Sequence, residues 1–319
     1  MRRCVMTSSE LRSAFLKKFD VVGIIHTKDY MAEAKKINPN IEAIKYETMV
    51  VVALSYPKRI IKHTKTHLVP SFYTFGSDYH QVLKKRIDAV MKNIPYDYVA
   101  GVDNHSQNER LAAVLSGVGY FGKNQLIINE TYGTYMFLGI VVIDLKLDEP
   151  FILDINDDCG TCRKCITACP TDALFDGGYD MHKCISYYNQ EKKILTDEEM
   201  DANYSLFGCD ICQMVCPKNI SKGVDIHKEF ELTGKEMVSI MDMFDLSQKQ
   251  FKLKYEDMSY LWKGKTILLR NALMVMLKQK NTSYIEQIET SLDEDKPIWY
   301  RDTAVKVLKR LKDISRKEG

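Results

Sequence analysis

The chain has 319 residues, 45% hydrophobic and 28% charged, with a formal net charge of +2. That length supports two or three domains, each with its own core, and the composition is that of a soluble globular protein. No apolar run approaches the roughly 20 residues needed to span a bilayer; the longest, 137–145, is broken by Gly139 and Asp144.

From the N-terminus, Ser9 is placed to cap a helix over 10–18, and Cys4 stands apart as a spare thiol. A β-rich run covers Val21–His26, and residues 48–56 read as a buried strand ended by Pro57. Residues 78–92 have helical spacing, with Val82, Ile87, Val90 and Met91 inward and Lys84, Lys85 and Arg86 outward. A helix over 108–116 leads into a glycine-rich turn, and strands follow at 126–128 and 134–144. Strands alternating with helices indicate an α/β layer domain.

The turn itself, Gly117-x-Gly119-x-x-Gly122-Lys123-Asn124, matches a dinucleotide-binding glycine pattern and nearly matches a P-loop. Its context excludes both. A phosphate-cradling glycine run follows a strand and opens a helix; here a helix precedes it and a strand follows. Asn124 also stands where a P-loop needs Ser or Thr for magnesium. A turn whose backbone can approach a flat cofactor is the better reading.

Eight of the nine cysteines fall in two ferredoxin-type runs: Cys159-x2-Cys162-x2-Cys165-x3-Cys169-Pro170, and Cys209-x2-Cys212-x3-Cys216-Pro217, with Cys184 upstream. In two-cluster ferredoxins the Cys before Pro crosses to the other cube. The spacing therefore predicts one [4Fe–4S] cluster on Cys159, Cys162, Cys165 and Cys216, and a second on Cys169, Cys184, Cys209 and Cys212. Zinc would pair two C-x2-C units without the x3-C-P tail, and disulfides do not suit a chain without a signal peptide. Each oxidised cube with its thiolates carries about −2, so the loaded protein is slightly acidic and a nucleic acid must be met by local basic patches. Oxygen-sensitive clusters with no export signal and no span point to the cytoplasm.

Beyond residue 220 the chain reads as helical and carries a short repeat: 269–278 aligns with 300–309 at an offset of 31. A helical pair of that period is the unit of HEAT-like solenoids, here as a small cap packed on its own chain in a monomer; two similar amphipathic helices would give the same pattern. Basic groups occur at 84–86, at Lys249, Lys252 and Lys254, at Lys263, Lys265 and Arg270, and over 306–317. Phe251, Tyr255, Tyr260 and Trp262 interleave the middle groups and could stack on splayed bases. Solvated helix faces explain the same charges without RNA.

Several stretches together resemble the epoxyqueuosine reductase family: Val102-Asp103, Glu109-Arg110, the run from Gly117 through Asn124 to Asn129, Gly133, and Gly76-x-Asp78-Tyr79-His80. Cys184-Ile185-Ser186-Tyr187, the block from Gly208 to Pro217, and Leu269-Arg270-Asn271-Ala272 continue the match. The resemblance implies an α+β protein in three parts: a nitroreductase-like corrin-binding catalytic domain over 1–150, a ferredoxin-like two-cluster domain over 151–222, and a HEAT-like helical domain over 223–319. It implies a cobalamin-dependent reductase that converts epoxyqueuosine in a tRNA anticodon loop to queuosine, with electrons relayed from an external low-potential donor through the clusters. Tyr79, His80, Gly117, Gly119, Gly122, Lys123, Asn124, Ser186 and Tyr187 would contact the corrin. Asp103 would be the general acid, with burial raising its pKa. Two features depart from the family pattern. Asp103 is followed by Asn104, His105, Ser106 and Gln107 in place of a D-[TS]-x-P run, which opens a role for His105 as the acid. The 25–49 segment is also short. A reductive dehalogenase-like enzyme and a plain electron carrier are the competing readings.

Overall fold

The computed structural model describes residues 6–154, 159–293 and 295–318. The chain is a mixed helix-and-strand protein, and Cys4 lies outside the described residues. It forms two compact units, each drawn from separated stretches: Met1–Lys58, Tyr79–Arg163 and Val215–Glu229 in the first; Arg59–Asp78, Lys164–Met214 and Phe230–Gly319 in the second. The cysteine-bearing segment is thus shared between the units.

The first unit is built on a four-stranded sheet. Val21–His26 pairs with Thr48–Ser55, which pairs with Met136–Ile143, which pairs with Tyr98–Gly101, every pairing antiparallel. Thr48–Ser55 is buried along its whole length, and this explains its unbroken apolar sequence: both of its faces are covered. Val51, Ala53, Ile140 and Val142 share a core with Tyr30 and Ala34 of the Thr27–Ile37 helix and with Ala112 and Ala113 of the Glu109–Leu115 helix. The opposite face meets the Tyr79–Met91 helix, where Leu83 approaches Gly139 beside Val52. The expected inward residues Val82, Ile87, Val90 and Met91 are all buried there.

Two expectations need correction. The first helix spans Ser8–Leu16, and its cap is Thr7 rather than Ser9. Thr7 accepts the Glu10 amide at 3.2 Å while the Glu10 carboxylate accepts the Thr7 amide at 2.8 Å, a reciprocal capping box that Ser9 is too far into the helix to form. Arg86 is not an outward lysine-like charge. It donates to Glu229 at 2.8 Å and to the Lys18 carbonyl at 2.7 Å, and so ties the returning 215–229 stretch to the first unit. Asn219 does the same, accepting the Thr134 amide and donating to the Thr134 hydroxyl, both at 2.8 Å.

In the second unit one core joins the cysteine-bearing segment to the C-terminal helices. Ile185, Tyr188, Leu206 and Phe207 pack in a cluster with Leu268, Leu269 and Leu273 of Lys265–Lys278 and with Tyr300, Val307 and Leu311 of Ile298–Glu318. These last two helices carry the sequence repeat and pack against each other. Among the described residues no helix is long and apolar enough to cross a membrane.

Candidate metal centres and catalytic site

None of the eight cysteines of the two runs forms a disulfide among the described residues. Within the first unit, burial and the nearby Cys159 and Cys162 push the Cys216 thiol up, against the opposing amide of Lys218. Cys162 closes a turn on the Cys159 carbonyl, and Lys123 steadies that loop by donating to the carbonyls of Gly160 at 2.6 Å and Cys162 at 3.0 Å. Within the second unit, burial drives the Cys212 thiol well above its ordinary value, and Cys209, Cys184, Cys165 and Cys169 add to the push. Each thiolate would repel its neighbours in a poorly hydrated place, and cationic iron removes that conflict. Cys169 is held low despite burial, because the Thr171 amide and hydroxyl and the amides of Leu174 and Ala173 all donate to it.

The segment around Cys184 and Cys209 is pinned from the helical side. Arg270 is fully buried and donates to the carbonyls of Glu191 at 2.6 Å, Asn189 at 2.9 Å, Lys193 at 3.3 Å and Tyr188 at 3.4 Å. Asn271, also buried, donates to the Asn189 and Leu206 carbonyls at 2.8 and 3.0 Å. The Asn189 side chain carries the network to Gly208, just before Cys209. Arg270 is therefore not available to RNA: its charge is spent on loop carbonyls, and burial brings its pKa down to about 10.

The aromatic residues proposed to stack on bases divide. Phe251, Tyr255 and Tyr260 are core residues, at 1%, 3% and 0% exposure, and cannot receive a base. Trp262 is 61% exposed, with the Lys263 ammonium 4.1 Å from its ring centroid. Lys254 is paired with Asp242 at 2.7 Å, whereas Lys84, Lys85, Lys249 and Lys252 are exposed.

Asp103 sits in the left-handed region at φ 59°, after the Tyr98–Gly101 strand. Its amide donates to Glu109 at 2.8 Å, and its carboxylate lies 3.4 Å from His80 Nε2. The expected upward shift of its pKa is reversed. The His80 hydrogen bond is the largest influence and lowers it, burial opposes it, and the charges of His80 and His105 and the Tyr79 hydrogen bond lower it further. The side chain is 59% exposed, so burial cannot dominate. His105 is occupied elsewhere. Its Nδ1 accepts the Gln107 amide at 3.2 Å, which places the proton on Nε2, 3.0 Å from Glu109. Its ring also fills the space beside Gly101, where a Cβ would come within 2.3 Å. His105 thus locks the loop that carries Asp103.

Tyr79 stacks on Phe137 at 4.2 Å and on His80 at 3.9 Å. Ser186 and Tyr187 lie on the Ile185–Tyr188 helix of the second unit, Tyr187 edge-on to His182. The glycine turn is filled by the chain itself. Gly117, at φ +73°, has its Cβ direction 2.0 Å from the Leu153 carbonyl, and Gly119 faces Ile127 and Ile128. Both glycines are required by close packing, against the Leu153 backbone at Gly117 and against Ile127 and Ile128 at Gly119. Asn124 differs: it is 6% exposed, and its Nδ2 has no partner among the described residues.

Residues 158–219 match the 4Fe-4S double cluster binding domain family. Epoxyqueuosine reductase of Bacillus anthracis is 33% identical over 295 residues, covering 87% of this chain and 76% of that protein. The structure of Bacillus subtilis epoxyqueuosine reductase with its catalytic aspartate loop swung out of the active site superposes with a TM-score of 0.82 at 27% identity, covering 97% of this chain and 91% of that one. A crystal structure of epoxyqueuosine reductase with an epoxyqueuosine-modified tyrosine-tRNA stem loop gives 0.78 at 25% identity, covering 95% and 98%. On the strength of that shared sequence and fold, the chain belongs to the epoxyqueuosine reductase family.

Proposed function

We propose that this iron–sulfur oxidoreductase reduces epoxyqueuosine to queuosine in a tRNA anticodon loop, using cobalamin fed by two [4Fe–4S] clusters. The observation that carries the reading is the match to epoxyqueuosine reductases along almost the whole chain, with the double-cluster segment included. The division of labour is 1–150 for corrin and catalysis, 151–222 for the clusters, and 223–319 as a HEAT-like cap. The enzyme works as a cytoplasmic monomer with an external low-potential electron donor. Cys159, Cys162, Cys165 and Cys216 hold one cube; Cys169, Cys184, Cys209 and Cys212 hold the other.

Asn124 supports a corrin: its unpartnered amide suits the carbonyl of a corrin amide arm, since a buried donor without an acceptor is costly. Tyr79, His80, Gly122, Lys123, Ser186 and Tyr187 complete the proposed contacts, and Gly117 and Gly119 shape the turn that presents them. Bound cobalamin would supply a low-valent cobalt nucleophile toward the epoxide carbon. Two electrons and two protons convert the epoxide to an alkene and water, so the chain must deliver a proton to the opening oxygen. The lowered pKa of Asp103 makes the His80–Asp103 pair the acid unit, the proton lying between Nε2 and Oδ2. Glu109 holds the loop by its bonds to the Asp103 amide and to His105. A catalytic aspartate loop is described as swung out in the Bacillus subtilis relative; the exposed Asp103 loop would close over substrate in the same way.

The test is anaerobic turnover of an epoxyqueuosine-bearing stem loop with reconstituted protein, cobalamin and a strong reductant, read by nucleoside mass spectrometry. Cobalamin-dependent loss of one oxygen mass is expected. No conversion, beside an active family enzyme, would overturn the reading.

A further inference from the structure

Tyr204 carries a hydroxyl that neither the ligand sets nor the substrate chemistry uses. It donates to Cys209 Sγ at 3.5 Å and accepts the Asp210 amide at 2.7 Å. A phenol has a single hydrogen; with the Asp210 amide pointing at the oxygen, that hydrogen is left for the sulfur. The ligand's chemistry gives the same direction, because an iron-bound thiolate can only accept. The tyrosine is held in place from its backbone as well. Its carbonyl lies 2.8 Å from His63 Nε2, and His63 Nδ1 accepts the Val69 amide at 2.9 Å, which leaves the imidazole hydrogen on Nε2 to donate. Asp210 is fixed in turn by the Ser71 hydroxyl and by the Phe72 amide at 3.3 Å.

We propose that Tyr204 sets the reduction potential of the cluster bound by Cys169, Cys184, Cys209 and Cys212. The inference rests on the two-cluster reading above. On reduction the cube gains one electron from the external donor and one unit of negative charge, with no proton transferred. A hydrogen bond to a ligating sulfur stabilises that added charge and raises the potential. Thr171, 3.6 Å from Cys169 Sγ, places a second hydroxyl on the same ligand set. Tyr204 is the sharper probe, since phenylalanine removes the hydroxyl and keeps the ring.

The experiment is an EPR-monitored redox titration of the reconstituted full chain, after iron and sulfide are assayed. In Tyr204→Phe one of the two midpoints should fall by a tenfold change in its one-electron equilibrium, about 59 mV, with the other midpoint and the iron content unchanged. The reduced parent should show an exchangeable proton coupled to that cluster, lost in the variant. A 3-fluorotyrosine at position 204, a stronger donor, should move the same midpoint upward, and it decides the matter if Tyr204→Phe does not hold its clusters. Unchanged midpoints in either variant at full iron content would overturn the proposal, as would equal movement of both. Iron and sulfide for a single cube in the parent would instead remove the two-cluster reading, and the proposal with it.

Discussion

Arg270→Met should loosen the second unit at the Tyr188–Lys193 stretch that follows Cys184. The arginine gives four carbonyls a charged donor, but not all four depend on it. The Asn189 carbonyl keeps its bond from Asn271, and the Tyr188 contact is long at 3.4 Å. The loss therefore falls on Glu191 and Lys193, at 2.6 and 3.3 Å. Hydrogen bonds to a charged group are worth about 1.5–3 kcal/mol each, and methionine recovers some packing while removing the desolvation of a buried guanidinium. A net destabilisation of about 3 kcal/mol results, a large share of the roughly 5–15 kcal/mol that folds a domain. Urea unfolding of the anaerobic protein and the rate of iron release to a chelator would measure it. The midpoint should fall, and iron from one cluster should leave faster than in the parent; Arg270→Lys, with a point charge able to reach fewer carbonyls, should fall between. If Arg270→Met unfolds within about 0.5 kcal/mol of the parent and keeps its iron equally long, the pinning argument is wrong.

Other outcomes follow from the same geometry. Asp103→Asn should abolish turnover while leaving cluster content and the unfolding midpoint near the parent's, because the side chain is half exposed; retained turnover would dismiss the acid role. The Asp103 pKa is lowered in the folded chain, so the His80 pairing is complete above the ordinary carboxylate value near 4 and is lost as pH falls through the lowered value. The protection factors of the amides at 102–107, corrected for intrinsic exchange, should thus fall only in acid and stay flat across neutrality. Gly133→Ala should destabilise the first unit by about 1–3 kcal/mol, since φ is +62° and the new Cβ meets Asn219 Oδ1 at 2.2 Å; thermal unfolding reads it. Cys209→Ser should lower iron from about eight to about four per chain.

The parts of the fold that were legible in sequence were those with strong local signals. Val21–His26 and Thr48–Ser55 announced themselves by dense β-branched runs. The four-residue strand Tyr98–Gly101 passed unnoticed because it is too short for a period to register. Phe251, Tyr255 and Tyr260 were misread because lysines between them suggest an exposed face, whereas Phe251 on the Gln248–Lys254 helix, Tyr255 at its C-cap and Tyr260 on the following Ser259–Lys263 turn all point inward. Arg270 was misread for a related reason: a charge in a helix defaults to the surface, and only tertiary structure supplies the carbonyls that justify burying it. The pKa of Asp103 turned on His80, a partner that sequence separation hides.

The first unit also imposes an order on synthesis. Its sheet is encoded by residue 143, but Asn219, Gly223 and Glu229 supply the bonds to Thr134, Lys58 and Arg86. A nascent chain therefore emits all of its cysteine ligands before the first unit can close. Iron loading and completion of that unit compete for the same interval, and a fragment ending short of residue 229 would lack both outcomes' shared clasp.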